Sequence, residues 1–154
     1  MPEPVVHPTP TPCPARVLLR DGAQLDVTFW LLGDPAREGR PTPLDALLSG
    51  RRRFLAVGLP AGANALLSRD GIVTVSVEAD HAGAPAEGDA AASLDVVTLH
   101  LDDGSEIAGV LRTVATEGGE RMSDVFNAAG PFLPIGIGSR VVLVNRDRVV
   151  RVTF

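Results

Sequence analysis

Every positively charged side chain in this 154-residue sequence is an arginine: there are fourteen, and no lysine. Guanidinium groups hold carboxylates and phosphates through two parallel hydrogen bonds, so clusters of them are the first candidates for chemistry. Arg51, Arg52 and Arg53 are consecutive. They read as an anion or phosphate site, or as the solvated entrance of a strand beside acidic neighbours. The net charge of -5 favours the second. Arg140, Arg146, Arg148 and Arg151 flank the last expected hairpin and would form a second stripe. A third polar set, Arg121, Asp124 and Asn127, lies in the string Arg121-Met-Ser-Asp-Val-Phe-Asn127. There Ser123 is placed to cap a short helix, Asp124 suits its positive end, and Asn127 can bond nearby backbone.

No catalytic constellation accompanies these residues. The sequence has no Gly-x-Ser-x-Gly elbow, no phosphate loop ending in Gly-Lys-Ser/Thr, and no metal-ligand spacing. Gly136-Ile-Gly138 lacks the third glycine and following helix of a dinucleotide fingerprint, and reads as a turn. Asp102-Asp103 precedes Gly104 where a hairpin turn belongs, which explains the two carboxylates without general acid-base work. His7 and His81 fall in segments expected to be disordered, and His100 sits on the polar face of a strand, so no histidine cluster forms. The expectation is a protein that is not an enzyme and takes no metal or cofactor.

Composition narrows the class. The chain is 45% apolar but only 4% aromatic, with one Trp and no Tyr, so its cores must be built from Val, Leu, Ile and Ala. Cys13, the single cysteine, cannot form an internal disulfide and reads as an ordinary tail residue in a reducing compartment. No apolar run reaches membrane-spanning length and no charged-then-apolar leader opens the sequence; a soluble cytoplasmic protein is expected.

The elements that position these residues read, from their order, as written twice. Ala15–Leu25 and Val96–Ile107 share one plan: an apolar-rich run, Asp-Gly, two residues, an apolar residue. Phe54-Leu-Ala-Val57-Gly58 matches Phe132-Leu-Pro-Ile135-Gly136, and Leu66-Leu-Ser-Arg69-Asp70 matches Leu143-Val-Asn-Arg146-Asp147. The reading is mostly β: a disordered Pro-rich tail over 1–14, a first small barrel over 15–77, a linker over 78–94, and a second small barrel over 95–154. Each unit carries one short helix, around Leu44–Leu48 and Ser123–Ala129, and the two are expected to pack face to face about an approximate twofold axis. Asp21-Gly22 and Asp70-Gly71 are expected as two-residue hairpin turns. Trp30 is out of phase with its strand's apolar face and is expected to be buried between the units. The tail, with a proline at each even position from Pro2 to Pro14 except position 6, is expected to stay outside any central strand.

The string from Arg121 to Asn127 resembles the Arg-x-Ser-Asp-x-Leu-Asn signature of a group of small uncharacterised bacterial and archaeal β-domains, with Phe126 in place of Leu. The resemblance covers most of the second unit and implies a fold, since no function is assigned to that group. The order of strands, turns and short helix also looks like small SH3-like or Sm-like barrels, folds that serve as peptide-binding, RNA-binding and assembly modules. The expected function is a non-enzymatic protein-binding or scaffold module, with homo-oligomers possible through strand edges. The alternative is Sm-like recognition of nucleic acid or nucleotide through the arginine faces, disfavoured by the net charge.

Overall fold

A computed structural model describes residues 10–33, 43–82, 92–114, 122–128 and 130–154. Ten strands, all paired antiparallel, form one unclosed sheet. They are β1 (Thr11–Leu19), β2 (Gln24–Leu31), β3 (Phe54–Gly58), β4 (Asn64–Ser68), β5 (Ile72–Glu78), β6 (Ala92–Leu101), β7 (Glu106–Val114), β8 (Phe132–Ile137), β9 (Arg140–Asn145) and β10 (Val149–Thr153). Three short helices accompany them, α1 (Leu44–Leu48), α2 (Ala79–Ala82) and α3 (Met122–Ala128). The mostly β expectation therefore holds.

Strands form where apolar residues recur at every second position, which places them on one face of the pleat. In β1 these are Cys13, Ala15 and Val17; in β2 they are Val27, Phe29 and Leu31; all are buried. The lateral order is β10-β6-β7-β8-β9-β5-β1-β2-β3-β4. Within each half the last strand lies beside the first, so the first half runs β5-β1-β2-β3-β4 and the second runs β10-β6-β7-β8-β9.

Small features recur at corresponding places. Leu19 N donates to Ala23 O and Leu101 N to Ser105 O, both at 2.9 Å. Gly22 and Gly104, each at φ 87°, occupy the left-handed position that makes these loops possible. Asp21 and Asp103 each accept from the amide two residues on. Arg20 N donates to Gly71 O, and Asp102 N to Arg148 O. A break in register leaves Val73 unpaired with β1, and another leaves Val150 unpaired with β6.

Two cores result. The first gathers β1, β2, α1, β3 and β5, and the second gathers β6, β7, β8 and the partly buried Met122, Val125 and Phe126 of α3. The junction between halves interleaves them: Phe132, Val141 and Leu143 of the second half enter the first core, and Val73 of the first half enters the second.

Several expectations are corrected. The halves meet edge to edge, β5 pairing with β9 from Thr74↔Val144 to Glu78↔Arg140, instead of packing face to face. Neither half closes into a hydrogen-bonded barrel among the described residues. β1 starts at Thr11, inside the stretch assigned to the tail. Pro12 and Pro14 lie where β1 pairs only with β2, since pairing with β5 begins at Arg16, so their missing N–H groups break no two-sided ladder. Cys13 is fully buried there. Trp30 is 49% exposed, because its position in β2 points away from the first core. β4 and β5 are not a hairpin: Arg69–Gly71 form a 3-10 turn that sends β5 across to β1, with Arg69 N bonded to Arg53 O. The loop at Asp21-Gly22 spans three residues between Leu19 and Ala23, not two. The expected linker loses Glu78 to β5, residues 79–82 to α2 and residues 92–94 to β6. Residues 1–9 of the tail and residues 83–91 of the linker lie outside the described residues.

Candidate functional site

The arginines do not converge. Arg51, Arg52 and Arg53 are exposed on the bend that leads into β3. Beside them the Arg69 guanidinium donates to Gly50 O, tying the 3-10 turn to the end of α1. Arg146 and Arg148 belong to the second 3-10 turn, between β9 and β10. Arg148 is turned inward, its side chain 15% exposed, and pairs with Asp102 at 2.5 Å. Its Nη2 is buried without a hydrogen-bond partner among the described residues. The Arg148–Asp102 pair bolts the turn after β9 to the loop after β6, so Arg148 is structural. Asn127 is exposed on α3. Arg121 and the side chain of Asp124 lie outside the described residues.

Arg140 does work at the junction. Its Nε donates to Ser76 Oγ at 3.0 Å, Nη2 to Ser76 O at 3.0 Å, and Nη1 to Glu78 at 2.9 Å. All three acceptors belong to β5, so a residue expected in a binding stripe instead clamps the two halves together. Arg151 lies across β10 from His100, its Nη2 3.2 Å from His100 Nδ1. The same ring nitrogen is 3.1 Å from Glu106, and Nε2 is 3.2 Å from Thr153 Oγ1. This row crosses β7, β6 and β10 on the outer surface. It sets the Thr153 hydroxyl beside one nitrogen of the His100 ring and the Glu106 carboxylate beside the other, and among the described residues no three His, Cys, Asp or Glu side chains are grouped to hold a metal.

Two shallow grooves cross the outer face. One, of about 690 Å³, is walled by Arg16, Asp26, Gly58, Ser76, Glu78 and Arg140 among others. Its charges are already paired, Arg16 with Asp26 at 3.1 Å and Arg140 with Glu78. The other, of about 390 Å³, lies where the halves meet, between Leu18, Thr74, Ile107 and Val142. Neither has an unpaired charge, among the described residues, with which to orient a small polar ligand.

The sheet edges are different. β4 and β10 each have one neighbour among the described strands, leaving a row of backbone donors and acceptors on the outer side. Both carry large exposed apolar residues: Leu66 is 68% exposed on β4, with Phe54 at 59% beside it on β3, and Val150 is 67% exposed on β10, followed by Phe154 at 82%. Solvated strand edges normally carry charge or proline against unwanted pairing; here Leu66 and Val150 stand exposed beside Asn64 and Ser68 on β4 and Arg151 and Thr153 on β10. Sequence reasoning missed them, because Leu66 and Val150 each sit beside another apolar residue in an ordinary strand run; their exposure follows from which strands become lateral neighbours.

Comparison with protein-family models, with curated proteins and with solved structures gave no match.

Proposed function

We propose that the chain is a non-enzymatic scaffold that binds proteins through its sheet edges, built from two copies of one small SH3-like or Sm-like unit. The observation that carries this reading is the exposure of Leu66 and Val150 on strands with an open hydrogen-bonding side. An added strand would satisfy those backbone groups and cover the apolar side chains together. The shared order of strands in the two halves, the matching loop hydrogen bonds and the matching breaks at Val73 and Val150 support duplication. The test is capture from the source cells with the wild-type chain and with Leu66→Arg and Val150→Arg. A partner held by the wild type and lost from either variant supports edge docking; capture that is unchanged in both removes it.

A second reading has one observation in its favour. Arg51, Arg52 and Arg53 are all exposed on one bend, a suitable place to meet phosphates. Titration with single-stranded RNA at two salt concentrations decides it: a steep loss with salt supports phosphate contacts, and no binding at low salt removes them.

A further inference from the structure

The internal junction is a template for what the free edges bind. If the halves are copies, as the reading above holds, β4 corresponds to β9 and β10 corresponds to β5. The chain joins β9 to β5 and leaves β4 and β10 without that neighbour. We propose that β4 of one copy of this chain pairs with β10 of another, in the register that β9 and β5 use within the chain.

The burial of corresponding residues supports this occupant. Leu143 on β9 is fully buried, whereas its counterpart Leu66 on β4 is 68% exposed. Phe132 is 5% exposed and its counterpart Phe54 is 59% exposed. Phe132 and Leu143 are buried because they enter the core of the other half; Phe54 and Leu66 have no other half within the chain to enter. The facing edge repeats the pattern. Val73, at the break in β5, is buried across the junction in the second core, and Val150, at the matching break in β10, lies open. Val77 is fully buried on β5 and its counterpart Phe154 is 82% exposed. Three positions that are sealed by the other half at the internal junction, Phe132, Leu143 and Val73, thus have apolar and uncovered counterparts at the two ends. Both edges keep the same chemistry at the places where one unit of the chain already holds another.

The register follows. Val75 faces Leu143, and Ser76 faces Val142, in the internal ladder. The corresponding pairs between molecules are Val152 with Leu66 and Thr153 with Ala65. Asn145 donates from Nδ2 to Ile72 O at 2.8 Å across the internal junction. The counterpart of that bond runs from Ser68 Oγ to Val149 O of the neighbour. Such contacts join unlike surfaces, so each added copy offers the next one a free edge, and the assembly grows until it closes on itself or runs on as a filament.

Sedimentation across a concentration series tests the proposal. The wild-type chain is expected to form species above its own 16.1 kDa. Leu66→Arg and Val150→Arg are each expected to weaken association by roughly 100-fold, since each buries an unpaired charge at the contact. Mixing is decisive. One variant keeps a working β10 and the other a working β4, so equimolar variants form a one-to-one pair and grow no further. A wild type that stays monomeric up to about millimolar concentration overturns self-pairing. So does either variant assembling alone as the wild type does. Both substituted side chains are already exposed, and unchanged circular dichroism and melting confirm that the variants fold. As a second measurement, a chain carrying Leu66→Cys and Val152→Cys should give reducible intermolecular oligomers on oxidation, because directly opposed residues stand within disulfide reach. Absence of those oligomers in an assembled sample refutes the register. If the chain remains monomeric while the edge variants still lose a cellular partner, self-pairing falls and edge docking stands.

Discussion

Cys13 offers an unusually clean titration. Burial pushes its thiol from the ordinary 9.0 up to about 11. The chain has no Lys and no Tyr, and arginine titrates higher, so no other side chain changes charge in that window. The unfolded chain releases the proton near pH 9, whereas the folded chain holds it until about pH 11. Stability is therefore constant with respect to this group below pH 9 and falls as pH rises toward 11. Urea midpoints measured at pH 8 and pH 10.5 should show the fall in the wild type and not in Cys13→Ala. At the same scale, Gly109 is locked by its neighbours. A Cβ there would stand 2.6 Å from Gly136 O and from Ile135 Cγ2, whereas at Gly58 the nearest atom is 3.8 Å away. Gly109→Ala is expected to cost at least ~2 kcal/mol and Gly58→Ala less than ~1 kcal/mol, read from chemical denaturation. The burial of Cys13 was not legible in the sequence. Alternating prolines look like a tail, and only the absence of a second neighbour, among the described strands, beside Pro12 and Pro14 lets them join a strand.

Elements were legible where their signals were local. Alternation in Val97–Leu101 marks β6, the unbroken apolar run Val141–Val144 marks β9, and Asp-Gly marks the turns after β1 and β6. Lateral neighbours were not legible, because pairing depends on where a turn sends the chain. Arg69–Gly71 and Arg146–Arg148 illustrate this: both look like hairpin turns, and both carry the chain away from the preceding strand. In the second of them Asn145 is the pivot. It is 7% exposed, accepts from Asp147 N at 3.0 Å, and donates to Ile72 O in the other half. Asn145→Ala should cost about 2 kcal/mol, since it leaves Ile72 O and Asp147 N short of a partner. Asn145→Ser, which copies Ser68, should recover part of that loss. The candidate arginines were visible as residues, but their roles were not. Arg140 and Arg148 look like a binding stripe in sequence and turn out to be spent on Ser76, Glu78 and Asp102.

At the scale of the molecule, two cores share one seam. Leu143 belongs to the second half and is fully buried in the core of the first. Leu143→Ala should destabilise the chain by about 3 kcal/mol. The loss should appear in both halves together. Probes at Trp30 in the first half and at a label on exposed Ser123 in the second, in a Cys13→Ala background, should report one coincident unfolding transition. Separate transitions would mean that the seam does not couple the cores.

The β5–β9 seam also carries a rule of arithmetic. If the halves are copies that also pair between chains as proposed, units enter any larger assembly in covalent couples, because one such contact is sealed inside every polypeptide. A closed circle made by repeating that contact must then contain an even number of units, and circles of five or seven are forbidden to this chain whatever its concentration.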